Sequence, residues 1–291
     1  MTRPPQPTHD ADAASCRPAP ATVPGLEEQL RLVAEAFSRK ADAYDELDRI
    51  SPSVKHLREK VRARVTASVP AGGRILELNA GTGSDALALV RSGFRVHATE
   101  IAPGMLSAIR SKVQRYGVGD RLTVQELSFT RLERLEGQLF DAVLSNTGGL
   151  NCISDLSPVC RQLPRLLVPG AAVIWVIMPR LCPWELAQIF RDPRVALRRL
   201  TPGGTWANVE GVRIRTTYHS ARRVRQALGS AFQLTHLESL LLLTPPADNV
   251  TFAERHPRLY HLLVAVEERI CRLPPFRGWG DFFLAEFRYR P

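Results

Sequence analysis

The sequence predicts an α/β chain built on an open, mostly parallel sheet, and three observations carry that prediction. The first is the stretch Arg74 to Asp85, R-I-L-E-L-N-A-G-T-G-S-D, in which a short apolar run ends in an acid and passes into a loop of small residues. It reads as a buried strand entering a tight turn. Gly81 and Gly83 there let the backbone adopt positive φ and approach a ligand closely, while A-L-A-L-V can open a helix toward that ligand. The second is the strand, helix, strand pattern with short connections that follows, the mark of right-handed parallel units. The third is a second acid, Glu100, closing the next apolar run (F-R-V-H-A-T-E) at the spacing of a carboxylate that grips ribose hydroxyls. Together they outline a nucleoside-binding crevice.

Two cofactors suit such a crevice, because Gly81-x-Gly83-x-x-Ala86 also satisfies the loose dinucleotide fingerprint. Glu77 decides between them. A carboxylate just before the loop repels a pyrophosphate, but complements the cationic amino group and sulfonium of S-adenosylmethionine (SAM) through water or backbone groups. Glu77-Leu78-Asn79-Ala80-Gly81-Thr82-Gly83, followed by Glu100-Ile101-Ala102-Pro103-Gly104-Met105-Leu106, resembles the class I SAM-dependent methyltransferases. Their first motif is an acid, small residues and G-x-G, and their second is often D-x-S-x-x-M-L. Asn79 stands where Gly is commoner. The resemblance runs over roughly residues 35 to 180 and more thinly to the C-terminus. It implies a Rossmann-like seven-stranded mostly parallel sheet with the last strand antiparallel, N-terminal helices, an inserted cap and SAM as cofactor. It implies no particular substrate.

Taken in order, residues 1–24 are rich in Pro, Ala, Thr and Asp without apolar periodicity and read as a disordered tail. Residues 25–70 read as a helical lid: Leu30, Val33, Phe37, Ala41 and Tyr44 recur at helical spacing over Leu26 to Leu47, and Val54 to Ser68 is a second amphipathic helix. The run from Phe37 to Asp45 resembles the F-x-x-x-A-x-x-Y-D lead-in of methyltransferases of quinone and biotin biosynthesis, in which the aromatic helps close the cofactor pocket. Alternatively Phe37 and Tyr44 are simply a buried stripe. Residues 71–180 read as the SAM-binding core. Its further elements are a helix over Ser84 to Ser92, a strand over Phe94 to Thr99, a helix over Gly104 to Gln114, strands over Leu122 to Gln125 and Leu139 to Ser145, a helix over Leu156 to Leu167 interrupted by Pro164, and a strand over Ala171 to Met178.

Residues 181–231 read as a substrate cap. A helix starts at Cys182-Pro183-Trp184-Glu185, a basic helix covers Asp192 to Leu200, and two β-like runs around Glu210-Gly211 suggest a hairpin that forms a lid. Ser220 is the expected N-cap of the next helix. Residues 232–291 return to the sheet, with strands over Phe232 to Leu243 and Asp281 to Tyr289 and a helix over His256 to Leu273 between them.

By resemblance, the adenine meets Ser128, with Leu127 or Phe129 against the ring and Glu126 as the alternative partner. Ser145, Asn146 and Thr147 lie beside the methionine moiety, and residues up to Cys152 line the methyl-transfer opening. That loop is not N-P-P-Y, which counts against DNA-base or release-factor substrates. Asn151, Trp184, Glu185 and Tyr218 are the expected substrate contacts, although Trp184 could equally anchor the cap and Glu185 stabilise a helix N-terminus. Asp141 is expected to be structural. His219 is the best lone candidate for a general base, set against the commoner role of a packing histidine, and Tyr44 is the other residue considered for catalysis.

The composition fits this reading. The chain has 291 residues, 44% of them hydrophobic and 23% charged, enough for one α/β domain with an insertion. Its net charge of +10 comes almost wholly from dispersed arginines, without the lysine run or aromatic interleaving of a nucleic-acid platform. Cys16, Cys152, Cys160, Cys182 and Cys271 form no C-x-x-C pair or His/Cys metal cluster, as in a reducing compartment, and no apolar run is long enough to span a bilayer. The expected protein is cytoplasmic, binds no metal, and methylates a small organic metabolite at oxygen or nitrogen. The alternatives are an RNA or protein methyltransferase, suggested by the positive charge, and a SAM-binding module without catalysis.

Overall fold

The computed structural model describes residues 24–247 and 249–291. All of the expected tail but Pro24 lies outside the described residues. A single long helix, α1 (Leu26–Ile50), buries Val33, Ala36 and Ala41. The following α2 (Pro52–Ser68) starts where Ser51 Oγ accepts from the amide of Val54 and Pro52 fits the first turn.

The core alternates β1 (Arg74–Leu78), α3 (Ser84–Arg91), β2 (Arg95–Glu100), α4 (Pro103–Tyr116), β3 (Leu122–Glu126), β4 (Phe140–Ser145) and β5 (Leu167–Ile177). Ile75, Leu76 and Leu78 on β1 are fully buried, as a central parallel strand covered on both faces requires. Asp141 is structural, taking the amide of Arg74 at 2.8 Å. The expected helix over Leu156 to Leu167 does not form. Pro164 has no amide hydrogen and its ring crowds the carbonyl of Cys160, so the helix stops at Ser157–Cys160 and a 3-10 turn, Leu163–Arg165, leads into a strand that starts four residues early.

Beyond β5 come two short helices, Pro183–Leu186 and Pro193–Leu197, and the hairpin of β6 (Thr205–Val209) and β7 (Val212–Thr216). Glu210 (φ 49°) and Gly211 (φ 80°) make the left-handed two-residue turn. Ser220 Oγ caps Ala221–Leu228 as expected, accepting from the amide of Arg223. The chain then re-enters the sheet through β8 (Phe232–Leu240) and β9 (Phe282–Tyr289). Between them lie two helices, Val250–Arg255 and Pro257–Ile270, separated because Pro257 holds His256 out of the helical region.

Seven strands form one sheet in the order β3-β2-β1-β4-β5-β9-β8, while β6 and β7 pair apart from it. Only β9 runs against its neighbours, pairing antiparallel with both β5 and β8. The strand order reverses between β1 and β4, so the loops after their carboxyl ends splay apart and leave a crevice.

Candidate functional site

The crevice is built on a turn that strains one side chain. Gly81 (φ 57°) and Gly83 (φ 78°) are left-handed as expected, and so is Asn79 (φ 47°), a conformation asparagine tolerates better than most residues. Its side chain is held at both ends: Oδ1 accepts from Ser145 Oγ at 2.8 Å and Nδ2 donates to the carbonyl of Asn146 at 3.3 Å. This posture has a partner. A Cβ placed on Gly149 would lie 2.3 Å from the Asn79 amide, so Asn79 at this position requires glycine at 149.

Glu100 ends β2 with its carboxylate in the crevice. Oε2 accepts from the amide of Gly81 at 2.8 Å, and Oε1 accepts from those of Ile101 at 2.8 Å and Ala102 at 3.0 Å. Burial pushes its pKa above the usual carboxylate value, and the three amides only partly offset this.

Glu77 does not join the wall. Its carboxylate is buried behind the glycine turn, where Asp85 is bound by Arg58 and by Arg62 Nε at 2.7 Å. Burial and the neighbouring charge of Asp85 push the Glu77 pKa well above its ordinary value, and one of its oxygens has no hydrogen-bond donor. Both arginines thus hold the ionised Asp85 beneath the turn, while burial favours the neutral form of Glu77. The expected repulsion of a pyrophosphate by Glu77 loses its basis there.

One cavity of about 420 Å³ occupies the crevice. Glu100, Ile101, Met105, Leu127 and Phe129 line one end; Asn79, Gly81, Thr147 and Tyr44 line the middle. Tyr44, on α1, faces the Gly81 turn with its hydroxyl 3.3 Å from Thr147 Oγ1, and burial raises its pKa. At the other end the sequence points to Phe37, Cys152, Tyr218 and the hairpin as a lid, but not to the remaining wall residues. Val33 and Phe37 from α1, Cys152, Met178 and Phe282 from the core, and Ala207, Val209, Ile214 and Thr216 from the hairpin form this end with Tyr218, and the charged side chains of Lys40, Arg198, Arg199 and Asp281 also line the cavity. Alternation along β6 and β7 is the signal that finds these inward positions once the hairpin is placed over the crevice.

Several expected site residues lie elsewhere. Leu78 belongs to the core under the sheet, Ala80 packs against the opposite core cluster, and Gly83 is backed by Ile109 of α4. Ser128 Oγ turns to Thr130 Oγ1 at 2.8 Å. Ser145 is occupied by Asn79, and Asn146 by Asp85 Oδ2 at 2.8 Å. Asn151 is fully buried and braces the core, donating to the carbonyls of Thr217 at 2.7 Å and Met178 at 3.0 Å. Trp184 anchors its helix, with Nε1 donating to the carbonyl of Leu243 at 2.8 Å and its ring edge-on to Phe252.

Glu185 is no substrate contact either. Arg198 Nη2 lies 2.6 Å and Arg199 Nη2 2.7 Å from its Oε1, and Arg199 also reaches Asp281 Oδ1 at 2.6 Å. Burial opposes ionisation of Glu185, but the two arginines more than offset it and hold its pKa down. The same cluster answers a metal reading. Ligand atoms of Cys182, Glu185 and Asp281 lie within 4.8 Å of one another, yet the Arg199 guanidinium already takes the cationic place between the carboxylates.

His219 is fully buried and its Nε2 meets the carbonyl of Ile153 at 3.0 Å. Burial pulls its pKa down to about 4, and it does not line the cavity. It is a packing histidine. A broader depression of about 900 Å³ lies between Ala221–Leu228 and β8, lined by Arg222, Arg225 and Arg290, and holds none of the expected site residues.

Residues 75–170, from β1 into the start of β5, match the model of a methyltransferase domain. Those residues are a methyltransferase domain of the class I SAM-dependent type. Among curated proteins, the chain is 34% identical to a demethylmenaquinone methyltransferase of Thermus thermophilus over 49% of its own length and 64% of the relative's. It is 27% identical to that of Tropheryma whipplei over 49% of its length and 57% of the relative's. The match thus spans less than two thirds of either relative. Among solved structures, it shares the fold of a Burkholderia thailandensis 1,6-didemethyltoxoflavin-N1-methyltransferase, with a TM-score of 0.57, 15% identity, and 94% of each chain covered. SAM is the cofactor of the family, and the wall suits it: a buried carboxylate backed by three amides, a side-chain-free turn at Gly81 and an apolar end.

Proposed function

We propose that this methyltransferase transfers a methyl group from SAM to a small, largely apolar organic acceptor, at oxygen or nitrogen, in a biosynthetic or tailoring step. The observation that carries the reading is that one cavity joins the Glu100 end to a chamber roofed by apolar side chains of α1 and the hairpin, with Arg198, Arg199 and Asp281 also in its wall. Bound SAM supplies a methyl already activated by its sulfonium, so the protein's work is to hold, orient and dry the acceptor. Glu100 would accept from the ribose hydroxyls, and Leu127, Phe129 and Ile101 would flank the adenine. Val33, Phe37, Ala207, Val209 and Ile214 would exclude water from the acceptor, which Tyr218 and Thr216 would orient through their hydroxyls.

Tyr218 is positioned for that role, with the Arg199 guanidinium 5.1 Å over its ring and Thr205 Oγ1 3.4 Å from its hydroxyl. A chamber closed by a hairpin favours a small acceptor over RNA or protein, and the relatives named as demethylmenaquinone methyltransferases support the same class. Among the described residues no helix is long and apolar enough to cross a membrane. The four described cysteines are unpaired and buried, in keeping with a reducing, cytoplasmic setting.

The test is release of S-adenosylhomocysteine when the protein is given labelled SAM and fractionated small metabolites. Label passing into an apolar small-molecule fraction is the expected result. Tight S-adenosylhomocysteine binding with no transfer to any fraction would overturn the enzyme reading, and label passing only into bulk RNA or protein would overturn the acceptor class.

A further inference from the structure

The helix Pro257–Ile270 is seated by one side only. It buries Tyr260 and Glu267, and Glu267 Oε2 accepts from the amides of Leu242, Leu243 and Thr244 and from the Thr244 hydroxyl. Its outer flank is apolar: Leu259 is 45% exposed, Leu262 58% and Val266 36%, and Leu273 just beyond the helix is 51% exposed. Spacings of three, four and seven residues place these side chains in one continuous stripe. A single exposed leucine is ordinary, but a stripe of this kind marks a surface that something covers.

The charges around the stripe say what that something is. Arg258 and Arg269 are exposed on its solvent side, and neither has a carboxylate partner among the described residues. Arg255 precedes the helix and Arg277 follows it, both exposed, and Glu254 beside Arg255 is the exposed acid nearest in sequence to the start of the helix. The acids of the helix are turned away: Glu267 is buried, and Glu268 is held by Lys60 at 2.8 Å with His56 at 3.3 Å. The outer flank therefore presents leucine, valine and arginine with no acid free to meet a cation. Two copies placed stripe to stripe would bring the rows of Arg258 and Arg269 together with no carboxylate of the helix itself free to pair them, which disfavours self-association.

We propose that Pro257–Ile270 is an interfacial anchor that lies flat on an anionic phospholipid surface. Leu259, Leu262, Val266 and Leu273 enter the acyl boundary, and Arg258 and Arg269 sit at the level of the phosphates. At 14 residues the helix is too short to span a bilayer, so it lies on the membrane instead of crossing it. The anchor does not depend on the identity of the acceptor.

The experiment is co-sedimentation of the full chain with phosphatidylcholine vesicles, with and without phosphatidylglycerol. Binding is expected only where phosphatidylglycerol is present, and it falls as salt is raised. The double variant Leu262→Ser/Val266→Ser should bind at least roughly tenfold more weakly. Its thermal shift with S-adenosylhomocysteine should be unchanged, showing that the fold and the cofactor site are intact. The pair Arg258→Gln/Arg269→Gln should lose the preference for the anionic lipid while keeping the stripe. The proposal is overturned by absence of binding to anionic vesicles, by binding that the Leu262/Val266 variant leaves untouched, or by a dimer in sedimentation velocity that the same variant abolishes.

Discussion

Replacing Glu100 separates what holds the turn from what holds the cofactor. Its carboxylate accepts three backbone amides, from Gly81, Ile101 and Ala102, all within 3.0 Å. Alanine would strand those donors at about 1–3 kcal/mol each, enough to disturb the turn itself, so loss of binding in that variant would say little about the ligand. Glutamine is the sharper probe. It keeps one acceptor oxygen but sets an amide donor against at least one backbone N–H, which costs about 1–3 kcal/mol of stability. Toward the ligand it forfeits one charge-assisted hydrogen bond to a ribose hydroxyl, worth about 1.5–3 kcal/mol, or roughly 10- to 150-fold in affinity.

Titration calorimetry with S-adenosylhomocysteine reads the second quantity, and urea unfolding reads the first. A folded Glu100→Gln protein whose affinity lies within about threefold of the parent would remove Glu100 from the ligand and refute the reasoning. The pH dependence has a definite sign. Ligand hydroxyls favour the ionised carboxylate, whose pKa in the free protein is raised by burial, so affinity holds at high pH and weakens as pH falls through that raised value.

Four further outcomes follow from the same contacts. Gly149→Ala should destabilise the fold because its new Cβ meets the Asn79 amide; Asn79→Gly in the same chain should recover about 0.5–3 kcal/mol, read as the coupling in a double-mutant unfolding cycle. Arg58→Ala strips Asp85 and Asp48 of a buried partner and should cost about 3–5 kcal/mol in urea unfolding. His219 has a folded pKa of about 4 against an ordinary 6.5, so it contributes stability that is complete above 6.5 and lost as pH falls toward 4. That loss amounts to about 3 kcal/mol, and His219→Gln should lack this part of the acid transition in pH-dependent melting. Tyr218→Phe should lower methyl transfer while leaving the S-adenosylhomocysteine dissociation constant unchanged, which a radiolabel assay and calorimetry distinguish.

The open parallel sheet, the alternation of strands and helices in its core and the glycine turn were determined by the sequence alone, because they rest on local patterns: apolar runs covered on both faces, and a turn only small residues can make. Ser220 as a cap and Glu210-Gly211 as a hairpin turn were legible for the same reason. What the tertiary structure decided was partnership. Glu185 reads as a substrate contact or as an acid at a helix N-terminus until Arg198 and Arg199 fold back onto it from 13 and 14 residues away. His219 reads as a base until Asn151 and the Ile153 carbonyl close around its segment. Glu77 reads as the charge facing the cofactor until two arginines from α2 reach beneath the turn. Charged side chains take their meaning from whichever opposite charge or amide the fold brings within about 3 Å, and that distance is set by chain segments the linear sequence keeps far apart.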